Sequence, residues 1–111
     1  MKRLYRLLKS EDFKNVLDKK QYVSRENFVI YHKMNNLEHC RVGVSVSSKI
    51  GNSVVRHKIK RQIINMVDQT VEKSFNCDIV IIARKKFLEY SFKENYDVFK
   101  KAIFKIINKG E

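Results

Sequence analysis

The chain has 111 residues, and 24 Lys and Arg stand against 12 Asp and Glu, for a formal net charge of +12. That length bounds it to one domain, residues 1–111. Its 43% hydrophobic content excludes a wholly disordered basic tail, and the charge points to nucleic acid or an anionic membrane surface.

No apolar run approaches the roughly 20 residues of a membrane span, so no membrane partner is expected. The opening M-K-R-L-Y-R-L-L-K is basic, but its apolar residues are interrupted and no small-residue cleavage site follows. It does not read as a signal peptide. Residues 1–9 are expected to form a mobile basic lead whose Lys2, Arg3, Arg6 and Lys9 add nonspecific phosphate contacts. Cys40 and Cys77 are far apart and form no CxxC. They read as reduced thiols of a cytoplasmic protein, with a disulfide left open.

Ser10 is a candidate N-cap, with Glu11 and Asp12 in the first turn where the helix dipole favours them. Phe13, Val16 and Leu17 follow at i, i+3 and i+4, which predicts a short amphipathic helix over 10–20. A short strand is possible near 21–24. Residues 27–34 alternate: Phe28, Ile30, His32 and Met34 share one face, Val29, Tyr31 and Lys33 the other. Residues 41–47 alternate more strictly. Val42, Val44 and Val46 face one way, and Arg41, Gly43, Ser45 and Ser47 the other. The small residues of that second face leave a trough beside Tyr31. Either it takes an extended single strand, with bases on aromatic faces and phosphates on cations, or helix 10–20 packs down and fills it.

The centre of the chain is Lys49 to Asn65, K-I-G-N-S-V-V-R-H-K-I-K-R-Q-I-I-N. No Asp or Glu occurs between His39 and Val67. Gly51 supplies a tight turn, and Asn52 or Ser53 is a favoured N-cap. Val55, Ile59, Ile63, Met66, Val67, Thr70 and Val71 then recur at helical spacing and face a core. Arg56 and Lys60 fall at the edge of that stripe, and His57, Lys58, Arg61 and Asn65 on the far side. An ordinary solvated face mixes both signs of charge. A helix face carrying only positive charge calls for a polyanion.

Asp78 opens the apolar run I-V-I-I-A, which reads as a central strand buried on both faces. Residues 92–108 form a last helix. Its apolar side is Tyr96, Phe99, Ile103, Phe104, Ile106 and Ile107; its solvent side is Lys100, Lys101, Lys105 and Lys109. The element order is α-β-β-α-β-α, an α+β fold on a single-layer mixed β-sheet. No D-x-D, no H-E-x-x-H and no metal-spaced His/Cys group occurs. A metal-independent nuclease using two of His32, His39 and His57 is conceivable. His32 alternates onto the core face and His39 sits in a turn, so a binder whose partner does the chemistry is the better account.

The run V-S-V-S-S-K-I-G-N-S-V-V-R-H-K-I-K-R-Q-I resembles the signature of the bacterial ribonuclease P protein component, V-S-K-K-x-G-N-A-V-x-R-N-R-x-K-R. Ser45, Ser47, Lys49, Gly51, Asn52, Val54, Arg56, Lys60 and Arg61 match. Ser48 stands where Lys is usual, His57 where Asn is, and Lys58 where the second Arg is. Lys58 keeps the charge but loses bidentate geometry. E-D-F near residue 12, F-V-I-Y at 28–31, R-V-G-V-S-V at 41–46 and D-I-V-I-I-A-R at 78–84 resemble family landmarks as well.

The resemblance implies a left-handed βαβ crossover and a protein subunit of ribonuclease P. It implies two partners, ribonuclease P RNA and precursor tRNA, and no small-molecule substrate. The RNA subunit would hold the Mg²⁺ ions and carry the catalysis that removes the 5′ leader; the protein would contribute no catalytic side chain and no metal ligand. Lys49, Asn52, Arg56, His57, Lys58, Lys60 and Arg61 would contact the catalytic RNA. Phe13, Leu17, Tyr31, Ser45 and Ser47 would line the leader cleft, with Leu17 replacing a frequent Phe. The alternative is a general RNA-binding, ribosomal-protein-like module with no part in cleavage.

Overall fold

A computed structural model describes residues 2–109, so Met1, Gly110 and Glu111 lie outside the described residues, as do the side chains of Arg3 and Lys109. A single 3-10 turn, Arg3–Tyr5, leads into α1 (Ser10–Asp18), β1 (Tyr22–Ser24), β2 (Phe28–Met34), β3 (Arg41–Ser45), α2 (Ser53–Thr70), β4 (Cys77–Ala83) and α3 (Phe92–Lys109), with a 3-10 turn Lys85–Glu89 before α3. The sheet runs β1-β2-β4-β3. β1–β2 and β2–β4 are antiparallel, and β3 lies parallel to β4 across the α2 crossover. The α+β class and the predicted helices and strands are all present, and 21–24 does contain a short strand.

β4 is central, which is why its run is apolar without alternation: all but one of its residues are buried. Its side chains divide between two cores. Ile79 and Ile81 join Phe28, Ile30 and Val42 under α2 and α3, whose Ile59, Ile63, Met66, Phe99 and Ile103 close that face. Val80 points to the other face and meets Leu7 and Val16 there, with Phe13, Leu17, Tyr31 and Ile82 packed around them. The sheet is therefore covered on both sides.

α1 sits close on the second face because residue 43 has no side chain. A Cβ at Gly43 would lie 2.3 Å from Phe13 Cζ. Its seat is pinned by charge. Arg41 and Asp78 stand opposite each other in the β3–β4 register. Arg41 Nε donates to Asp78 Oδ1 at 2.9 Å and Nη2 to Oδ2 at 2.6 Å, while Nη1 reaches Asp12 of α1 at 3.4 Å. Asn35 Nδ2 adds a donor to Asp78 Oδ1 at 2.8 Å. Hydrogen bonding to Asp78 raises the Arg41 pKa further, so the guanidinium at the centre of this clamp stays charged.

Three details differ from expectation. Ser10 does not cap α1: the N-cap is Lys9, with no side-chain cap hydrogen bond. The helix end is instead held by Asp12 in the Arg41 clamp. The basic lead, expected to be mobile, is docked along its middle. Leu7 is buried in the second core, its N–H donates to Val42 O at 2.9 Å, and Arg6 bridges Val42 at the open edge of β3. An exposed parallel edge leaves unpaired backbone groups, and the lead supplies partners for some of them. Finally, β3 ends at Ser45, so Ser47 lies beyond the strand.

Cys40 and Cys77 are free thiols, both buried. Burial raises both pKa values, that of Cys77 to about 11. Because the folded value lies above the ordinary 9.0, the neutral thiol's contribution is complete below about pH 9 and is lost as pH rises through about 11. The stability of the parent relative to Cys77→Ala should therefore fall by up to about 2 kcal/mol between pH 8 and 11 in urea titrations. A constant difference would contradict the burial account. Gly43→Ala should cost about 1–3 kcal/mol by forcing Phe13 from its seat. The same change made in a Phe13→Ala background should cost under about 0.5 kcal/mol, because the clash is gone.

Candidate nucleic-acid interface

α2 begins where the sequence places it. Asn52 is the N-cap, and its Oδ1 accepts from Val55 N–H at 3.0 Å. The preceding turn is built by Ser47, whose carbonyl accepts from Ile50 N–H at 3.0 Å and whose hydroxyl accepts from Lys49 N–H at 3.2 Å. Ser47 thus shapes the turn that presents Lys49, and does not sit on the trough face where alternation put it. A serine hydroxyl bonding two residues on is a turn device, and it stops the strand there. Ser45 remains on β3, paired with Ile82 and exposed.

The buried stripe of α2 is Ile59, Ile63, Met66 and Val67, as its spacing predicts. That fixes the opposite arc outward. Lys49, Asn52, His57, Lys58, Lys60 and Arg61 are exposed, and Arg56 is half-buried. Among the described residues, none of Lys49, Arg56, Lys58, Lys60 or Arg61 takes part in an ion pair; the pairs present join Arg41, Lys73 and Lys86 to carboxylates elsewhere. Arg56 Nε is buried with no hydrogen-bond acceptor among the described residues. A buried donor left unmatched costs about 1–3 kcal/mol. The amides of the first turn of α2 that the cap does not satisfy add partial positive charge at the same end.

A groove of about 620 Å³ brings Phe13, of the predicted leader cleft, together with His57, Lys60 and Arg61, of the predicted RNA-contacting set. It is lined by Leu7, Phe13, Gly43 and Val44 together with His57, Lys60 and Arg61 of α2. Arg6 of the docked lead lines the same groove, a residue that alternation and helical periodicity had no means of placing. The trough of the sheet is partly filled. Phe13 covers Gly43, as the packing alternative required, but Phe13, Leu17 and Tyr31 all stay half-exposed around the second core. Leu17 and Tyr31 do not line the 620 Å³ groove; they lie toward β2, on the same face of the sheet.

The histidines have separate surroundings. His32 lines a hollow between β1 and the end of α3 with Phe104 and Ile106. The His39 ring packs edge-on to Tyr5, with Nδ1 2.9 Å from Cys40 O. His57 borders the cationic groove. Among the described residues, no group of three or more His, Cys, Asp or Glu is placed to hold a metal ion, and no helix is long and apolar enough to cross a membrane.

Known proteins share this sequence pattern and this fold. The family model described as Ribonuclease P matches residues 1–107. The ribonuclease P protein component of Mesoplasma florum is 36% identical over 101 residues, covering 89% of this chain and 92% of its own length. That of Streptococcus gordonii is 43% identical over 94 residues, covering 85% and 79%. Among solved structures, a Staphylococcus aureus ribonuclease P protein mutant with defective mRNA degradation activity superposes with a TM-score of 0.84 at 34% identity, over 96% of this chain and 90% of that one. The Thermotoga maritima ribonuclease P protein, 24% identical with a TM-score of 0.71 over 86% and 96%, shares the fold. With the signature on α2, the two-faced sheet and these relatives together, the chain belongs to the ribonuclease P protein component family.

Proposed function

We propose that this protein is the accessory subunit of ribonuclease P. It binds the catalytic RNA through α2 and the turn before it, and holds the 5′ leader of precursor tRNA against α1 and the sheet. The observation that carries this is that unpaired Lys60 and Arg61, with His57 beside them, line one groove together with Phe13 and Gly43. A groove of that kind takes a nucleic-acid backbone on its charged side and bases on its apolar side. Arg56 adds an unmatched donor that a phosphate oxygen satisfies after a rotamer change. Lys49 and Lys58 extend the charge to both sides, and Asn52 keeps its amide N–H groups free, because only its oxygen is used by the cap.

The leader contacts are Phe13, Leu17 and Tyr31, with Ser45 at the end of β3. The half-exposure of the first three is the relevant property, since a ring wholly buried has no face to offer. Ser47 acts on the interface through the Lys49 turn. The protein supplies neither general base nor metal ligand in this scheme. Mg²⁺ and the chemistry of phosphodiester hydrolysis belong to the RNA, and the cationic face offsets repulsion where two RNAs crowd together. The setting is the bacterial cytoplasm.

Reconstitution tests the reading. The protein, a bacterial ribonuclease P RNA and a precursor tRNA are combined at low Mg²⁺, with each component also omitted in turn. Cleavage at the mature 5′ end is expected only when protein and RNA are both present. An arm with the protein alone on an mRNA covers an activity named for the Staphylococcus aureus relative; cleavage there would reassign the chemistry to the protein. Stimulation absent with several bacterial RNAs would favour a general RNA-binding module. Arg61→Ala should weaken binding to the catalytic RNA and lower the slope of log K against log salt by about 1. An unchanged slope would remove Arg61 from the interface.

A further inference from the structure

We infer that Tyr22 is an additional base-stacking residue, which extends the leader platform by one nucleotide past Tyr31 at the β1 edge of the sheet. This deepens the function proposed above and rests on its placement of the leader along the α1 face.

The β1–β2 register sets Tyr22 directly opposite Tyr31. Directly opposite residues of an antiparallel pair share one face of the sheet, so Tyr22 lies on the face that carries Phe13 and Leu17. The two tyrosine rings are 5.2 Å apart between centroids and inclined at 44°. They are therefore not stacked flat on each other, and each keeps a face of its own. Tyr31 is half-buried against the second core, whereas Tyr22 is 55% exposed.

A large aromatic side chain that exposed on a sheet face contributes little to the core beneath it. As a cross-strand pair it contributes roughly 0.2–1 kcal/mol. On a sheet bearing a row of aromatics, two or three successive bases are commonly taken up by successive rings. The charge needed beside such a row is present. Lys19 and Lys20 are exposed in the turn joining α1 to β1, immediately before Gln21 and Tyr22. Lys20 holds a left-handed backbone conformation, φ 57°, a position that more often goes to glycine or asparagine. The turn thus places a lysine, and its charge, at a position that disfavours a side chain. Leu17, at the middle of the platform, is aliphatic and stacks weakly. Tyr22 returns an aromatic face to the same surface from a strand, where pairing to β2 holds its backbone.

The test uses holoenzyme reconstituted with ribonuclease P RNA and a series of precursor tRNAs whose 5′ leaders grow one nucleotide at a time. Parent, Tyr22→Leu, Tyr22→Phe and Tyr31→Ala proteins are compared for substrate affinity and for thermal melting. Tyr22→Leu keeps apolar contact with Tyr31 but removes the ring. Its affinity for the shortest leaders should match the parent. The affinity gained on lengthening the leader should stop at least one nucleotide earlier, leaving binding of long leaders about five-fold weaker or more. Tyr22→Phe should restore the parent profile, and the Tyr22 variants should melt within about 5 °C of the parent. If Tyr22→Leu follows the parent at every leader length while Tyr31→Ala weakens binding, the extension is wrong and the leader cleft stands. If Tyr31→Ala is also without effect, the placement of the leader on this face fails, and the inference with it. A Tyr22→Leu loss equal at all leader lengths would mark a role in holding Tyr31 and would overturn the added contact.

Discussion

The close approach of Phe13 to Gly43 sets the geometry of everything on the α1 side of the sheet. A side chain at position 43 would lift the helix, and with it the half-exposed surface shared by Phe13, Leu17 and Tyr31. Apolar contact alone fixes distance poorly in direction, since a helix can slide along a sheet. The Arg41 clamp removes that freedom by tying Asp12 of α1 to Asp78 of the central strand through one guanidinium. Asp78 is nearly buried, so the clamp is not a surface pair worth a few tenths of a kcal/mol. Removing its arginine would strand a buried carboxylate, a defect of about 3 kcal/mol or more. A short helix of nine residues, marginal in isolation, is thereby held in one place on the sheet.

α2 faces the opposite problem. Its exposed arc carries like charges at i, i+4 and neighbouring spacings, which destabilise a helix by a few tenths of a kcal/mol per pair. Carboxylates placed among them would relieve the repulsion, and none is there. What holds the helix is its other side: Ile59, Ile63, Met66 and Val67 are all at or near zero exposure, and each fully buried side chain of this size contributes about 1.5–3 kcal/mol. The core can thus carry a face that self-repels until an anion binds. Unpaired surface charge gives up a little stability for affinity and rate of association with a polyanion.

Local pattern made α2, β4 and the alternation of β2 and β3 legible in the sequence, because each is set by residues within a few positions of one another. Asn52 as cap, the buried stripe and the outward basic arc all follow from a 3.6-residue period. The rest depends on pairings between distant segments, which no periodicity encodes. Leu7 looks like part of a basic tail until the open edge of β3 is there to receive it. Asp12 has the position of a first-turn dipole partner, yet its partner is Arg41. Ser47 continues an alternating pattern, but a hydroxyl that can bond two residues ahead ends the strand instead. Tyr22 stands near a turn between Gln21 and Val23, and its place beside Tyr31 emerges only from the β1–β2 register.

The two faces of the sheet are consequently used differently. The α2–α3 side holds Phe28, Phe99, Ile30, Ile79 and Ile81 at or near zero exposure, and it is where stability resides. The α1 side is a thin second core of Leu7, Val16 and Val80 ringed by residues that stay partly open. A face covered by one short helix and a docked lead cannot bury its aromatic rim completely, so the rim remains available for contact. Loss of a methylene group from the first core weakens the protein as a whole. The same loss from the rim of the second changes what the protein can hold before it changes whether the protein folds.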